Sequence, residues 1–464
     1  MIAALNGFQS IVLAAGLAAF QDEAKKSDPP KVDAKTEKKA DASGAAASSR
    51  ITPENVPECQ QAQKKFRDGD MNEAKKLLEA AAAKHPELPP AQVMLAALLL
   101  TGNQAAAGRT MLERAAVERA EHPEVNRHFG ELALAENRLS DAHVQFGRAT
   151  QLAGDERWSL KQRQAFLSHA YAGLAAVAER RGDWDAAFAN LYLLRELEQD
   201  NPRVRWRLGR AQFFKDKPDD AMVLFQQAFA SDKTLEPAEL TMGGLWSQKK
   251  QFVKAEKWLT DAVKAHGSDA RTHVGLASFL LDQGRVAEAR AAVKAGLQVD
   301  PAQLQLRLLD AVVARSSGEL DYAERTLQEL VAKNPSDFGS SNQLALVLID
   351  QEEPRKKAQG LDIATNNQKL YPNGVEALTT LGWALYRNGL PDRAEQALQS
   401  AVRTGQGSSD CAYYLGVVWM DKNKKDDAKK LFEAALAAPG TFVHRKACEE
   451  ALKKLAGTPS EKKP

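Results

Sequence analysis

Histidine and cysteine are the side chains best suited to nucleophilic, acid–base or metal chemistry, and this 464-residue chain has eight of the first and three of the second. Cys59, Cys411 and Cys448 form an odd, sparse set, which is not a disulfide framework. Cys411 and Cys448 are the pair that could lie close together, although spacing alone does not supply bridge geometry. His122 and His128 stand six apart with Pro123 between them, a spacing that puts them on different faces of a helix and argues against a metal pair. No H-E-x-x-H, paired C-x-x-C, phosphate-binding P-loop or G-x-S-x-G motif occurs. The acidic pairs Asp219-Asp220, Asp426-Asp427 and Glu449-Glu450 read as carboxylates near helix starts or on solvated faces, where they complement the helix dipole. General acid–base work would need a cleft and a partner group. The expectation is therefore a protein without catalytic residues, metal site or cofactor.

Bulk composition narrows the class further. The 63 basic and 61 acidic side chains nearly cancel, to +2, so the basic excess of a nucleic-acid binder is missing. Charged residues make up 27% and aromatics 6%, a well-solvated helical composition. At the front, Ile11–Phe20 is apolar and uncharged, too short to cross a bilayer, which takes about 20 apolar residues. Residues 1–20 read as a secretory signal, with Gly16, Ala18 and Ala19 as small residues for cleavage, though no Lys or Arg precedes the apolar run. Residues 21–54 read as a disordered Lys/Ala/Asp-rich tether, since they cannot bury enough apolar surface to offset ordering entropy. Residues 458–464 read as a polar tail.

Between these ends the elements repeat. From Ala74 a small residue recurs at Gly108, Ala142, Ala187, Ala221, Ala255, Ala289, Ala323, Ala358, Ala394 and Ala428. Seven of the ten steps are 34 residues and the others are 45, 35 and 36, a period that signals a stacked array. Four residues after the marker stands a bulky apolar group, as at Leu78, Phe146, Phe225 and Phe432; Asp362 breaks this series. Twelve residues before it stands another small residue, as at Ala62, Gly130, Gly209, Gly382 and Gly416. Turn glycines precede several markers, at Gly69, Gly182, Gly284, Gly318 and Gly389, and prolines close units at Pro86, Pro301 and Pro335. Each unit is thus a helical hairpin in which small residues let two helices approach and a bulky residue fills the gap. A turn glycine can take the positive φ that ends the first helix. One hairpin cannot bury its apolar face alone, so neighbours must stack.

This pattern resembles the tetratricopeptide repeat, W-x2-L-G-x2-Y…A-x3-F…A…P over 34 residues. Leu208-Gly209, Leu381-Gly382 and Leu415-Gly416 match its L-G pair, Phe146, Phe225 and Phe432 match its later Phe, and Trp419 falls where its Tyr stands. The large aromatics of the other hallmark positions are mostly absent. The resemblance covers residues 55–440 as eleven units, weakest in the ninth, around Gln343–Pro372. It implies an all-α solenoid of helix-turn-helix repeats forming a right-handed superhelix. The 45-residue step implies eleven extra residues around Asp155–Ser168, extending a first helix over Trp158–Arg181. Residues 441–457 read as a capping helix, Phe442–Leu455 being amphipathic.

In the family the first helices line a concave groove for proteins or peptides, with outward positions at offsets 2, 5, 9, 12 and 13. Carried over, these offsets give Arg203, Trp206, Arg210, Phe213 and Phe214 in the fifth unit, with Arg207 and Arg205 nearby. Arg interleaved with aromatics could grip an acidic or C-terminal peptide. The tenth and eleventh units offer Trp383, Tyr386, Arg387, Tyr413 and Met420. The alternative is that Trp206, Phe213 and others simply pack between units. A chaperone-type carboxylate clamp is incomplete: Arg203 and Arg207 occupy clamp offsets, but Arg127, Glu131 and Gly173 stand where Lys and two Asn belong. The expected function is a non-enzymatic protein-interaction scaffold, exported to the periplasm or envelope of a bacterium. A cytoplasmic adaptor is the alternative.

Overall fold

The structure, a computed structural model, describes residues 53–456 apart from 86–87, 103, 405–406 and 439. The expected signal (1–20), nearly all of the tether (21–54), the tail (458–464) and Pro86 lie outside the described residues. Among the described residues every regular element is helical, a 3-10 turn at Pro53–Asn55 followed by 23 α-helices. The described chain divides between Leu235 and Glu236 into two compact units.

The first unit holds five hairpins: α1 (Pro57–Arg67) with α2 (Met71–Lys84), α3 (Ala91–Thr101) with α4 (Ala105–Glu118), α5 (Pro123–Ala135) with α6 (Leu139–Ala153), α7 (Leu160–Arg181) with α8 (Trp184–Leu197), and α9 (Pro202–Phe214) with α10 (Pro218–Ser231). The second holds six: α11 (Ala238–Gln248) with α12 (Phe252–Ala265), α13 (Ala270–Asp282) with α14 (Val286–Val299), α15 (Leu304–Ser316) with α16 (Leu320–Lys333), α17 (Phe338–Asp350) with α18 (Pro354–Leu370), α19 (Val375–Arg387) with α20 (Pro391–Arg403), and α21 (Ser409–Asp421) with α22 (Lys425–Ala437). α23 (Arg445–Ala456) follows the last hairpin. Among the described residues the helices pair into eleven hairpins, the number the spacing predicts.

The repeat residues do what their sizes require. Ala74, Ala142, Ala187, Ala221, Ala255, Ala289, Ala323, Ala394 and Ala428 have no exposed surface. A Cβ placed on Gly209 would stand 2.7 Å from Cε1 of Phe225, so α9 approaches α10 only because that position has no side chain. Phe225 itself is fully buried, which contributes on the order of 2 kcal/mol. Gly69, Gly182, Gly284, Gly318 and Gly389 all take positive φ at the hairpin turns. In four other repeats Asn137, Asp216, Lys250 and Asn423 take that conformation, with φ of 57–59°.

The ninth repeat corrects one marker. Ala358 is exposed; Gly360, Ala364 and Asn367 are buried in its place, in the pattern of Ala74, Leu78 and Ala81. Gly360 lies 37 residues after Ala323 and 34 before Ala394. The cause is local. α17 ends at Gln351 in an extended conformation (φ −75°, ψ 152°), with no left-handed residue, and three additional residues enter the turn before Pro354 starts α18. The first helix keeps register, with Ala345 buried 34 residues after Ala311, while its partner moves.

The fourth repeat has the long first helix expected, starting at Leu160 rather than Trp158. Ser159 caps α7 in a capping box with Gln162. Trp158 instead folds beneath the helix start, donating to the carbonyl of Leu152 at 3.0 Å and meeting His122 and Phe166 edge-on.

Within each unit the second helix packs between neighbouring first helices, and successive first helices also touch one another more extensively than successive second helices do. The first helices therefore form the inner face, and residues on that face can converge.

Candidate functional site on the inner helix faces

The fifth repeat's cluster is positioned by α9. Asn201 caps the helix, its Oδ1 accepting from the amides of Arg203 and Val204, and Pro202 fixes the first turn. Arg203 is exposed, Trp206, Arg207 and Arg210 are half-buried, and Phe213 is buried. Arg207 forks onto Glu179 of α7, Nε to Oε1 at 3.0 Å and Nη2 to Oε2 at 3.1 Å, and also donates to the Ala172 carbonyl. The Arg210 guanidinium lies 5.4 Å from the Trp206 ring centre. Phe214 stacks on Trp184 at 4.2 Å, and Arg205 turns to Ser231 and the Gln199 carbonyl. The other clamp-offset residues serve internal contacts. Arg127 pairs with Glu124 and Glu131, and a Cβ on Gly173 would collide with the ring of Phe146.

The second cluster, in the second unit, draws in more elements. Trp383 and Tyr413, expected to face outward, are only 5% and 8% exposed. Trp383 of α19 stacks on Tyr414 of α21 (4.3 Å between ring centres, 9° between planes) and donates from Nε1 to Oδ1 of Asp350 at 3.0 Å. Tyr386 also stacks with Trp383, at 5.4 Å and 21°, and donates its hydroxyl to Asp421. Arg387 pairs with Glu352, and Trp419 donates to Glu395. At the centre is Arg315 of α15, 4% exposed, which donates to Oδ2 of Asp350 at 2.8 Å and to the Tyr414 hydroxyl at 3.3 Å.

The segment between α22 and α23 completes the cluster. Residues 442–444, expected within the capping helix, stay outside it. The Thr441 hydroxyl donates to Oδ1 of Asp282, at the end of α13, at 2.9 Å. Phe442 is buried with its ring edge-on to Tyr413. His444 stacks on Tyr413 (5.2 Å, 14°), with Nε2 3.4 Å from Nη2 of Arg315 and 3.8 Å from Oδ1 of Asp350. These contacts keep Thr441–His444 out of the helix, with a turn at Val443–His444 in which the Arg445 amide bonds to the Phe442 carbonyl at 3.4 Å, so the helix starts only at Arg445, with the Cys448 amide bonded to the His444 carbonyl. The cap itself packs Cys448, Ala451, Leu452 and Leu455 on the last repeats.

Electrostatics in this cluster follow from burial and from Arg315. Burial opposes ionisation of Asp350, but the Arg315 guanidinium overcomes it and holds the carboxyl below its ordinary range. Burial draws the His444 imidazole down to about 4, against the pull of Asp350. It pushes the Asp410 carboxyl up to about 6 and the Tyr413 phenol up to about 12. Cys411 and Cys448 are buried and unbridged, with thiols pushed up to about 11, so neither is poised as a nucleophile. Among the described residues no group of three or more His, Cys, Asp or Glu side chains is placed to hold a metal ion. Nor is any helix there long and apolar enough to cross a membrane.

Asp282, Arg315, Asp350 and Asp410 were not singled out from the sequence, yet the signal was present. They stand at offsets 13, 12, 13 and 2 of their own repeats. The rule that found Trp383 finds them too, once it is applied to repeats 7–9 and to acidic side chains. His444 lies beyond the last repeat, where the offset rule does not reach.

Comparison with known proteins agrees with this architecture. Tetratricopeptide-repeat family models match residues 65–127, 251–303 and 369–441. A TPR repeat-containing protein of Pseudomonas aeruginosa is 28% identical over 112 residues, 24% of this chain and 19% of that protein's own length. Among solved structures, yeast Tom70 is 13% identical, with 86% of this chain and 94% of that chain covered and a TM-score of 0.37. A thermophilic TPR protein of Thermus thermophilus is 18% identical, with 40% and 100% covered and a TM-score of 0.35. Family models fall on repeats at both ends of the array, and the hairpins between them, apart from the lengthened fourth and the shifted ninth, share the same period, marker burial and turn geometry. The chain is a tetratricopeptide-repeat protein.

Proposed function

We propose that the protein is a non-enzymatic scaffold for protein–protein interaction, exported and working in envelope-associated assembly. The observation that carries the scaffold reading is the inner face of the first helices, where Arg and aromatic side chains recur at matching offsets in stacked repeats. Arg203, Trp206, Arg207 and Arg210 in the first unit, and Trp383, Tyr386 and Tyr413 in the second, are the residues assigned to partner contact. Arg and large aromatics are the usual anchors of interfaces. Export is supported by the apolar run Ile11–Phe20 and the charged, aromatic-free stretch that follows it. One observation favours a cytoplasmic adaptor instead, the lack of any Lys or Arg before that run.

Affinity capture of the tagged full chain from its source organism, read by mass spectrometry, tests the scaffold. The expected result is a small set of partners whose recovery falls when Arg203→Ala and Arg210→Ala are combined. No specific partner, or recovery unaffected by inner-face substitutions in either unit, overturns it. Amino-terminal sequencing of the native protein tests export; an intact Met1 on a cytoplasmic protein overturns it.

A further inference from the structure

The segment Gly440–Arg445 runs from the last repeat back across the inner face of the second unit to α13, four repeats earlier. Its bond from Thr441 to Asp282 closes the distance between repeats 7 and 11. It presents Phe442 and His444, two residues apart, to one aromatic floor. Phe442 and His444 meet Tyr413 at 5.8 and 5.2 Å, and His444 meets Tyr414 and Trp383 edge-on. A turn at Val443–His444, closed by the Arg445 amide on the Phe442 carbonyl, brings both rings to that floor.

The surface beneath it is built rather than incidental. Arg315 is buried with its guanidinium shared among Asp350, the Tyr414 hydroxyl and Nε2 of His444. Two carboxyls, on Asp350 and Asp410, stand against this one buried guanidinium, since Arg387 is paired with Glu352, and a third, on Asp282, takes the Thr441 hydroxyl at the far end of the strap. Such a lining accepts a neutral or cationic segment and disfavours an acidic one. The strap fits that rule, with no acidic side chain from Gly440 to Lys446 and with Arg445 and Lys446 at its end.

We propose that residues 440–445 are a resident ligand of the groove formed by repeats 7–11, and that the groove's external ligand is an uncharged or basic peptide that carries, in a turn, an aromatic residue two positions before a histidine. The strap holds the groove shut in the free protein, and a partner segment of that chemistry displaces it. This inference rests on the reading of the inner faces as partner-binding surfaces. Occupancy of a site by the chain's own copy lowers the apparent affinity of an external ligand by the fraction of time the site is open.

The test uses the full chain and a fluorescein-labelled peptide of residues 438–446, with binding read by fluorescence anisotropy. Combining Phe442→Ala with His444→Ala should expel the strap and raise peptide affinity at least tenfold over wild type. A control peptide with both positions changed to Ala should bind neither protein. Thr441→Ala, which removes the hydroxyl bond to Asp282 and leaves the backbone bond, should raise affinity a few-fold, and it tests the idea should the double variant lose its helical circular dichroism. Equal affinity for wild type and Thr441→Ala, or binding of the control peptide as tightly as the native one, overturns the proposal. A wild-type dimer that the peptide dissociates would also overturn it, because the groove would then be closed by a second copy. Failure of all peptide binding with partner capture intact removes the strap and leaves the scaffold reading standing.

Discussion

The inner faces of repeat 5 and of repeats 7–11 carry similar side chains at the same offsets but use them over different distances. In repeat 5 the contacts are between neighbours: Arg207 reaches Glu179 in the preceding repeat, and Arg210 lies over Trp206 one turn away. In repeats 7–11 the corresponding positions converge on one buried network that joins α13, α15, α17, α19, α21 and the strap. A stacked array is quasi-one-dimensional, with each repeat held by its neighbours. The strap breaks that rule by tying repeat 11 to repeat 7. Nearest-neighbour contacts set stability locally, whereas a closing contact makes several repeats depend on one another.

Disrupting each face should expose the difference. Arg315→Ala leaves Asp350 buried beside no cation, and the expected cost is about 3–5 kcal/mol in urea unfolding of the full chain. Its effect should spread, loosening α13 through α21 together. An effect under 1 kcal/mol would mean that the network does not tie those repeats. Arg207 and Glu179, by contrast, should show a coupling of roughly 1 kcal/mol in a double-mutant cycle, with little effect beyond repeats 4 and 5. A coupling as large as the Arg315 effect would erase the contrast. The smallest change should come at a turn away from both faces. Lys250→Gly relieves a left-handed conformation (φ 57°) that glycine takes without steric cost, and should stabilise by about 0.5 kcal/mol as read by thermal melting.

The sequence displays the repeat because its constraints are local. A glycine at 209 and a phenylalanine at 225 must face each other across one hairpin, so their spacing is fixed wherever the hairpin recurs. The same locality made the long α7 visible, since its extra residues lengthen one step of the period. Repeat 9 misled because its insertion lies inside the hairpin turn, displacing α18 but not α17. Ala358 then stood near the expected place for a small residue, while the buried one is Gly360. The outward offsets single out Trp383 and Tyr413, which lie in the buried network of the first helices. Their burial was not legible, because it depends on curvature accumulated over four repeats and on a segment beyond the last one. Asp282 and Thr441 are 159 residues apart in the chain, and no local pattern relates them.

The titration of His444 tests the closed groove most directly. Seated, its imidazole faces Arg315 on α15, Asp350 on α17, Arg387 on α19 and the phenols of Tyr413 and Tyr414 on α21, with Arg445 beside it in the chain. Burial lowers its pKa from the ordinary 6.5 to about 4, although Asp350 pulls the other way. A group depressed in this way favours the seated strap as the neutral form. That contribution is complete above pH 6.5 and is lost as pH falls towards 4, up to about 3 kcal/mol. Asp410, raised to about 6, opposes it by favouring the protonated, folded state at low pH, so bulk stability mixes the two. A site-resolved NMR titration separates them, with the His444 ring signal assigned by its loss in His444→Gln. A pKa near 4 is the result expected of a strap seated in the groove, and a value near 6.5 would place His444 in solvent and contradict it.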